Sequence, residues 1–194
     1  MLTSTESDFD VLCFTKTKIK EGSDIVNIDI PGYTCFHTPT KTNFGGTFSL
    51  VKNQFSPKLL PEFSQSAEKS FNSTFIEIKN DKNKSLVIGT IYRHPKADDS
   101  FINSFLTPTL IKLGKMKKKV ALAGDFNFDL LKYETHKPTN EFYDILSSYS
   151  YRPCILQPSR VTYKLNTLVN NIFINDFSCN LEKKFCKVVR YFIC

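Results

Sequence analysis

Apolar positions along the chain fall mostly in short runs bounded by glycine, proline or charge, the pattern of a strand-rich protein. "FDVLCFT" (9–15) has the length and the aromatic and β-branched character of a buried strand. "IPGYTCFH" (30–37) and "GGTFSLVKN" (45–53) each set a strand behind turn residues. In "STFIEIK", Ile76 and Ile78 share one face while Phe75, Glu77 and Lys79 take the other, which predicts a half-buried strand. "SLVIGTIY" (85–92) is apolar almost throughout and predicts a central strand covered on both faces, joined to the preceding one by a polar hairpin turn at 80–83. The stretch "QFSPKLLPEFSQSAEKSFN" (54–72), polar and twice interrupted by proline, predicts an exposed loop.

Helical periodicity occurs twice. Ile102, Phe105, Leu106 and Leu113 follow Asp98, Asp99 and Ser100, any of which suits a cap, and Pro108 is expected to kink or end that helix near Thr107. Phe142, Ile145, Leu146 and Tyr149 form an i, i+3, i+4, i+7 stripe, with Thr139 or Asn140 as cap and Glu141 in the first turn. That stripe reads as core packing. "YRPCIL" (151–156) and "TLVNNIFIND" (167–176) predict two further strands. With frequent hairpins and no parallel strand–helix–strand rhythm, the pattern suits two packed sheets with helices outside them.

Composition narrows this picture. At 194 residues and 41% hydrophobic content the chain suits one core, and 18 Phe with only 7 Gly argue against low complexity. No apolar run approaches the ~18 residues of a membrane span, and Met1 precedes a polar stretch, so a soluble intracellular protein without a membrane partner is expected, the nucleus included. The net charge of +7 favours polyanions or marks a merely basic surface. Lys117, Lys118 and Lys119 are the tight basic run, either a solvated strand end or a phosphate-facing edge. Six cysteines show neither a C-x-x-C pair nor zinc spacing. The triplets at Asn72 and Asn83 have the form of glycosylation acceptors but matter only in a secreted chain.

The candidate chemistry lies in "LAGDFNFDLL" (122–131). Gly, Asp and Asn are ordinary turn residues, yet a strand that delivers Asp125 and Asn127 to one rim also supplies an acceptor for a cation and a donor for a phosphate oxygen.

Taken in order, "PGYTCFHTPT", "GGTFSLVKN", "IGTIYRHP", "LAGDFNFDLL", "TNEFYDILSSYS" and "PSRVTYKLNTLVNNIF" resemble the endonuclease domain of non-LTR (LINE-type) retrotransposon polyproteins, a branch of the endonuclease/exonuclease/phosphatase superfamily related to the apurinic endonucleases. The likeness spans roughly residues 8 to 176. It implies an α/β fold, a DNase-I-like two-layer β-sandwich flanked by helices, that nicks DNA by metal-dependent phosphodiester hydrolysis with Mg²⁺ or Mn²⁺ and needs no other cofactor. Such a site stabilises charge on the phosphate oxygens and aims a water, and Mg²⁺ needs only one or two carboxylates to be held there.

Carried over by motif, the resemblance makes Asp125 the carboxylate that orients or deprotonates the attacking water and Asn127 a phosphate partner. Tyr92 becomes a donor to a phosphate oxygen and Arg93 its electrostatic support. The chain also departs from the family. Lys16, in "FTKTK", stands where a metal-binding glutamate is expected, and an ammonium cannot ligate a cation. Asn170, in "LVNN", replaces the carboxylate that would orient a catalytic histidine, and no Ser-Asp-His segment follows "FIND". His37, His94 and His136 lie in other motifs. The first and last strands of the sandwich are expected to be missing, giving a partial domain at 1–176 and an unmatched tail at 177–194. The function expected is thus a retrotransposon-derived endonuclease-like domain with its hydrolytic activity lost or impaired. The alternatives are a non-catalytic basic nucleic-acid-binding module or a small-phosphoester phosphatase of the same superfamily.

Overall fold

The computed structural model describes residues 9–22, 30–41, 44–79, 85–98, 100–163 and 165–176. The predicted hairpin turn at 80–83, the Asn83 triplet, Asp99 as a cap and the tail at 177–194 lie outside those residues. Three strands, β1 (Val11–Thr15), β2 (Tyr33–Thr38) and β3 (Thr47–Lys52), form a small antiparallel sheet in the order β1-β3-β2. Next come β4 (Lys58–Leu59), β5 (Ser66–Ala67), β6 (Phe71–Lys79) and β7 (Ser85–Arg93). After helix α1 (Thr107–Met116) and β8 (Lys119–Asp125) come α2 (Lys137–Ser148), β9 (Arg152–Pro153), β10 (Arg160–Val161), β11 (Asn166–Thr167) and β12 (Asn170–Ile174). The large sheet runs β4-β6-β7-β8-β12-β9 with β5 beside β6, while β10 and β11 form a separate ribbon.

Two cores explain this layering. On the face of the large sheet that receives the helices, Phe75, Phe101, Leu110, Phe126, Phe142 and Phe173 are fully buried together. On the other face, Val11, Cys13 and Val51 of the small sheet pack against Ile76, Ile78, Ile88 and Ala123. Burial of Cys13 pushes its thiol up to about 11, so it behaves as a small apolar side chain. The protein is therefore an α/β two-layer sandwich of the DNase-I-like kind with helices flanking its large sheet.

Several elements differ from the sequence reading, each for a packing reason. Phe75 and Ile76 are both fully buried, so β6 is covered on both faces; alternation alone does not reveal a helix layer. The stretch 54–72 is not a free loop, because β4 and β5 pair with β6 while Leu60 and Phe63 plug the helix-side core. Strands β7 and β8 are parallel neighbours joined through α1, so one strand–helix–strand crossover is present. The first helical piece ends near Thr107, as Pro108 led one to expect, but a second helix continues from it. Wider π-type turns over Phe101–Leu106 lead directly into α1, which carries the proline in its first turn. Helix α2 starts at Lys137, so Thr139 is an internal residue whose hydroxyl meets His136 Nδ1 at 2.9 Å.

Candidate functional site

Four polar residues line up across the strands at one end of the large sheet. Asn72 of β6 is the register partner of Tyr92, Tyr92 that of Asp125 on β8, and Asp125 that of Asn170 on β12. Facing partners on adjacent strands project to the same side, and Ile76, Ile88 and Ala123, an even number of positions away, place that side toward the small sheet. The row thus forms the rim where the two layers open. All four are buried, Asp125 to 2% exposure.

The glycine before Asp125 is there for space. A Cβ at Gly124 would lie 1.7 Å from the Ile91 carbonyl oxygen, a backbone atom that cannot step aside.

From the opposite layer comes Lys16, just past the end of β1. Its backbone adopts φ 59, a left-handed conformation uncommon for a long side chain. Its Nζ lies 2.6 Å from Asp125 Oδ2 and 5.7 Å from the centre of the Tyr92 ring. The other Asp125 oxygen, Oδ1, accepts from the Asn127 backbone N–H at 3.2 Å. Burial, and secondarily the neighbouring Asp125 carboxylate, raise the Tyr92 phenol above its ordinary value, so it stays a protonated donor at neutral pH.

Asn127 lies beyond the end of β8 with φ 50, and its side-chain N–H donates to the Arg93 carbonyl at 2.6 Å. It ties the ends of β7 and β8 together. Arg93, although next to Tyr92, faces the helix layer. Its guanidinium stacks over Phe128 at 4.0 Å and donates to the carbonyls of Ala97 at 2.5 Å and Asn127 at 3.5 Å. At 7% exposure it is a buried structural cation, away from the rim to which sequence order assigned it, because adjacent strand residues point to opposite faces. Asn170 receives little support. Ser159 Oγ meets its backbone N–H at 3.1 Å and its side-chain N–H at 3.4 Å, and its buried Oδ1 has no hydrogen-bond partner among the described residues.

The Lys117–Lys119 run lies at the far end of β8 from Asp125, so it does not form a phosphate-facing edge at this site. Lys118 pairs with Glu77 at 2.6 Å and Lys119 with Asp176. Asn72 was the residue that sequence reasoning passed over. Its Oδ1 accepts from the Gly46 N–H at 3.0 Å and its N–H donates to Ser66 Oγ at 2.7 Å, clamping the loop after β2 to the rim. The available signal was "FNSTF", three consecutive polar residues set between two phenylalanines inside a strand.

These residues do not fit a divalent cation. Asp125 has one oxygen on an ammonium and the other on a backbone N–H, and Lys16 brings positive charge to the place where a cation would sit. Asn170 offers a neutral amide only. Among the described residues, no three His, Cys, Asp or Glu side chains gather in a way that could hold a metal.

No protein-family profile and no curated protein matches the chain. Solved structures do. The endonuclease domain of TRAS1, a telomere-specific non-LTR retrotransposon, superposes with a TM-score of 0.61 at 12% identity, over 76% of this chain and 68% of that one. The 3'-5' exonuclease from Neisseria meningitidis gives 0.60 at 13% identity, over 85% of this chain and 76% of that one. D. rerio TDP2, complexed with a single-strand DNA product, gives 0.53 at 13% identity, over 85% and 69%. The chain therefore has the fold shared by these nuclease structures. Among the described residues no helix is long and apolar enough to cross a membrane.

Proposed function

We propose that the chain is a retrotransposon-derived endonuclease-like domain that has lost metal-dependent DNA hydrolysis and keeps the capacity to bind nucleic acid through its basic surface. The observation that carries this reading is the Lys16–Asp125 contact of 2.6 Å. Hydrolysis of a phosphodiester needs a water that is activated and aimed, and a cation beside the developing oxyanion. Here Asp125 is held by an ammonium, which binds phosphate as a point charge but does not polarise a coordinated water. Asn170, where a carboxylate would support an imidazolium, carries no charge.

The retrotransposon origin draws support from the ordered motifs and from the likeness to the TRAS1 domain. Nucleic-acid binding draws support from the +7 net charge and from the single-strand DNA product held by the D. rerio relative of the fold. On this reading the domain occupies residues 1–176, and DNA contact needs no Mg²⁺ or Mn²⁺. The test is nicking of supercoiled plasmid. The protein is expected to leave plasmid intact in Mg²⁺ and in Mn²⁺; metal-dependent nicking that disappears in Asp125→Ala overturns the reading.

A further inference from the structure

A cleft of about 650 Å³ opens beside the rim, on the Asn72 and Tyr92 side. Four lysines, Lys20, Lys41, Lys69 and Lys96, line it, against the single carboxylate of Glu68. They arrive from four separate segments, and paired backbone holds the two nearest the small sheet. Thr40 N–H donates to the Ile19 carbonyl at 2.8 Å, and Lys18 N–H donates to Gly45 O at 2.9 Å. Among them stands Phe44, 66% exposed, where the other described phenylalanines are buried or half-buried. The Thr40 hydroxyl donates to the Phe44 carbonyl at 2.7 Å and anchors the backbone at that residue. Tyr92 and His94 line the cleft as well. His94 Nδ1 accepts from the Lys96 N–H at 3.2 Å, which orients the lysine-bearing turn.

Resting on the nucleic-acid reading above, we propose that this cleft is a metal-independent site for single-stranded nucleic acid, in which lysines hold successive phosphates and Phe44 stacks on an unpaired base. Clustered lysines alone would serve any polyanion. The exposed aromatic ring among them is what selects a polymer with planar faces between its charges. A duplex keeps its bases stacked inside and offers the ring nothing, whereas a single strand turns them outward. The cleft volume lies within the range of small-ligand sites and suits a nucleotide or two of a strand crossing the rim. Because the positive charge comes from side chains, binding proceeds in chelator.

The test uses the full chain in EDTA, with fluorescence anisotropy of labelled dT12, rU12 and an abasic 12-mer of equal charge. The thymine or uracil strand is expected to bind about tenfold or more tighter than the abasic one. Phe44→Ala should weaken that strand about 5- to 30-fold, leave the abasic strand unchanged and keep the melting temperature, since the ring is exposed. Replacing Lys69 and Lys96 together by alanine should weaken all strands and reduce the salt slope by about 1.4. Phe44-dependent binding of either dT12 or rU12 supports the site, and comparison of the two sorts DNA from RNA. If strands bind but Phe44→Ala changes nothing, or the abasic strand binds equally well, the cleft is refuted while the nucleic-acid reading stands. If no strand binds at low salt, both are refuted.

Discussion

The two ends of the space between the sheets are built from opposite materials. At the far end Val11, Cys13, Val51, Ile76, Ile78 and Ile88 close a dry apolar interface. Toward the rim the same strands carry hydroxyls: Thr47 meets Thr74 at 2.8 Å, Thr74 donates to Thr38 at 2.8 Å, and Ser49 meets Thr90 at 2.8 Å. Each end of the large sheet also has a lysine–carboxylate contact of 2.6 Å, Lys16–Asp125 at the rim and Lys118–Glu77 away from it. Equal length hides unequal consequence. The Asp125 side chain is 3% exposed and hemmed by Tyr92 and Asn170, whereas the Glu77 side chain, 14% exposed, also meets the Ser85 hydroxyl and is less deeply buried. On the proposed reading, this polar, buried end with its paired carboxylate is a catalytic rim that has given up its cation.

The contrast breaks most severely at Gly124. Gly124→Ala drives a methyl into the Ile91 carbonyl and should cost about 3 kcal/mol in urea denaturation, whereas alanine at Gly114, with open space around it, should cost nothing. Next is Lys16→Ala, which strands the buried Asp125 carboxylate and should cost about 2 kcal/mol. A loss no larger than that of Lys118→Ala would erase the distinction between the two ends.

Smaller again is the effect of building a carboxylate cluster at the rim. Lys16→Glu combined with Asn170→Asp gathers three carboxylates with Asp125, so Mn²⁺ at tenfold its Kd should raise the melting temperature by about 3 °C, with no shift in the parent protein. This variant should still not nick plasmid, because no histidine partner is restored. The smallest effect is at the far pair. Lys118→Ala should cost under about 1 kcal/mol. The Lys118 ammonium first, then the Ser85 hydroxyl, hold Glu77 below the ordinary carboxylate range. Its contribution is therefore present at neutral pH and lost as pH falls below about 4.5 through the folded-state value. Glu77→Gln should flatten that acid limb without affecting the neutral-pH behaviour of the rim.

The strands around the site were legible in the sequence because each is a short apolar run with turn residues at its ends. Asp125, Tyr92, Lys16 and Asn170 were legible as positions in ordered motifs, but their mutual contacts were not. Lys16 meets Asp125 only because β1 lies in the other layer and ends opposite the end of β8, a relation no spacing within one strand expresses. Arg93 and Asn127 were harder, since whether a strand-end side chain faces the rim or the helices depends on register. The segment 54–72 misled because β4 and β5 are two residues each, too short for periodicity, and are held by pairing with β6. The lysine cleft was illegible because its members are scattered from Lys20 to Lys96 and only the fold collects them.

The central claim is that the Lys16 ammonium stands in place of a divalent cation beside Asp125. Its most direct measurement is a Mn²⁺ titration followed by amide resonances of the labelled protein, in which a bound paramagnetic ion broadens its neighbours. The account predicts that Tyr92, Asp125, Asn127 and Asn170 broaden no more than distant surface residues up to millimolar Mn²⁺, and that selective broadening at these four appears in the Lys16→Glu, Asn170→Asp variant. Selective broadening of the four in the parent protein would contradict it.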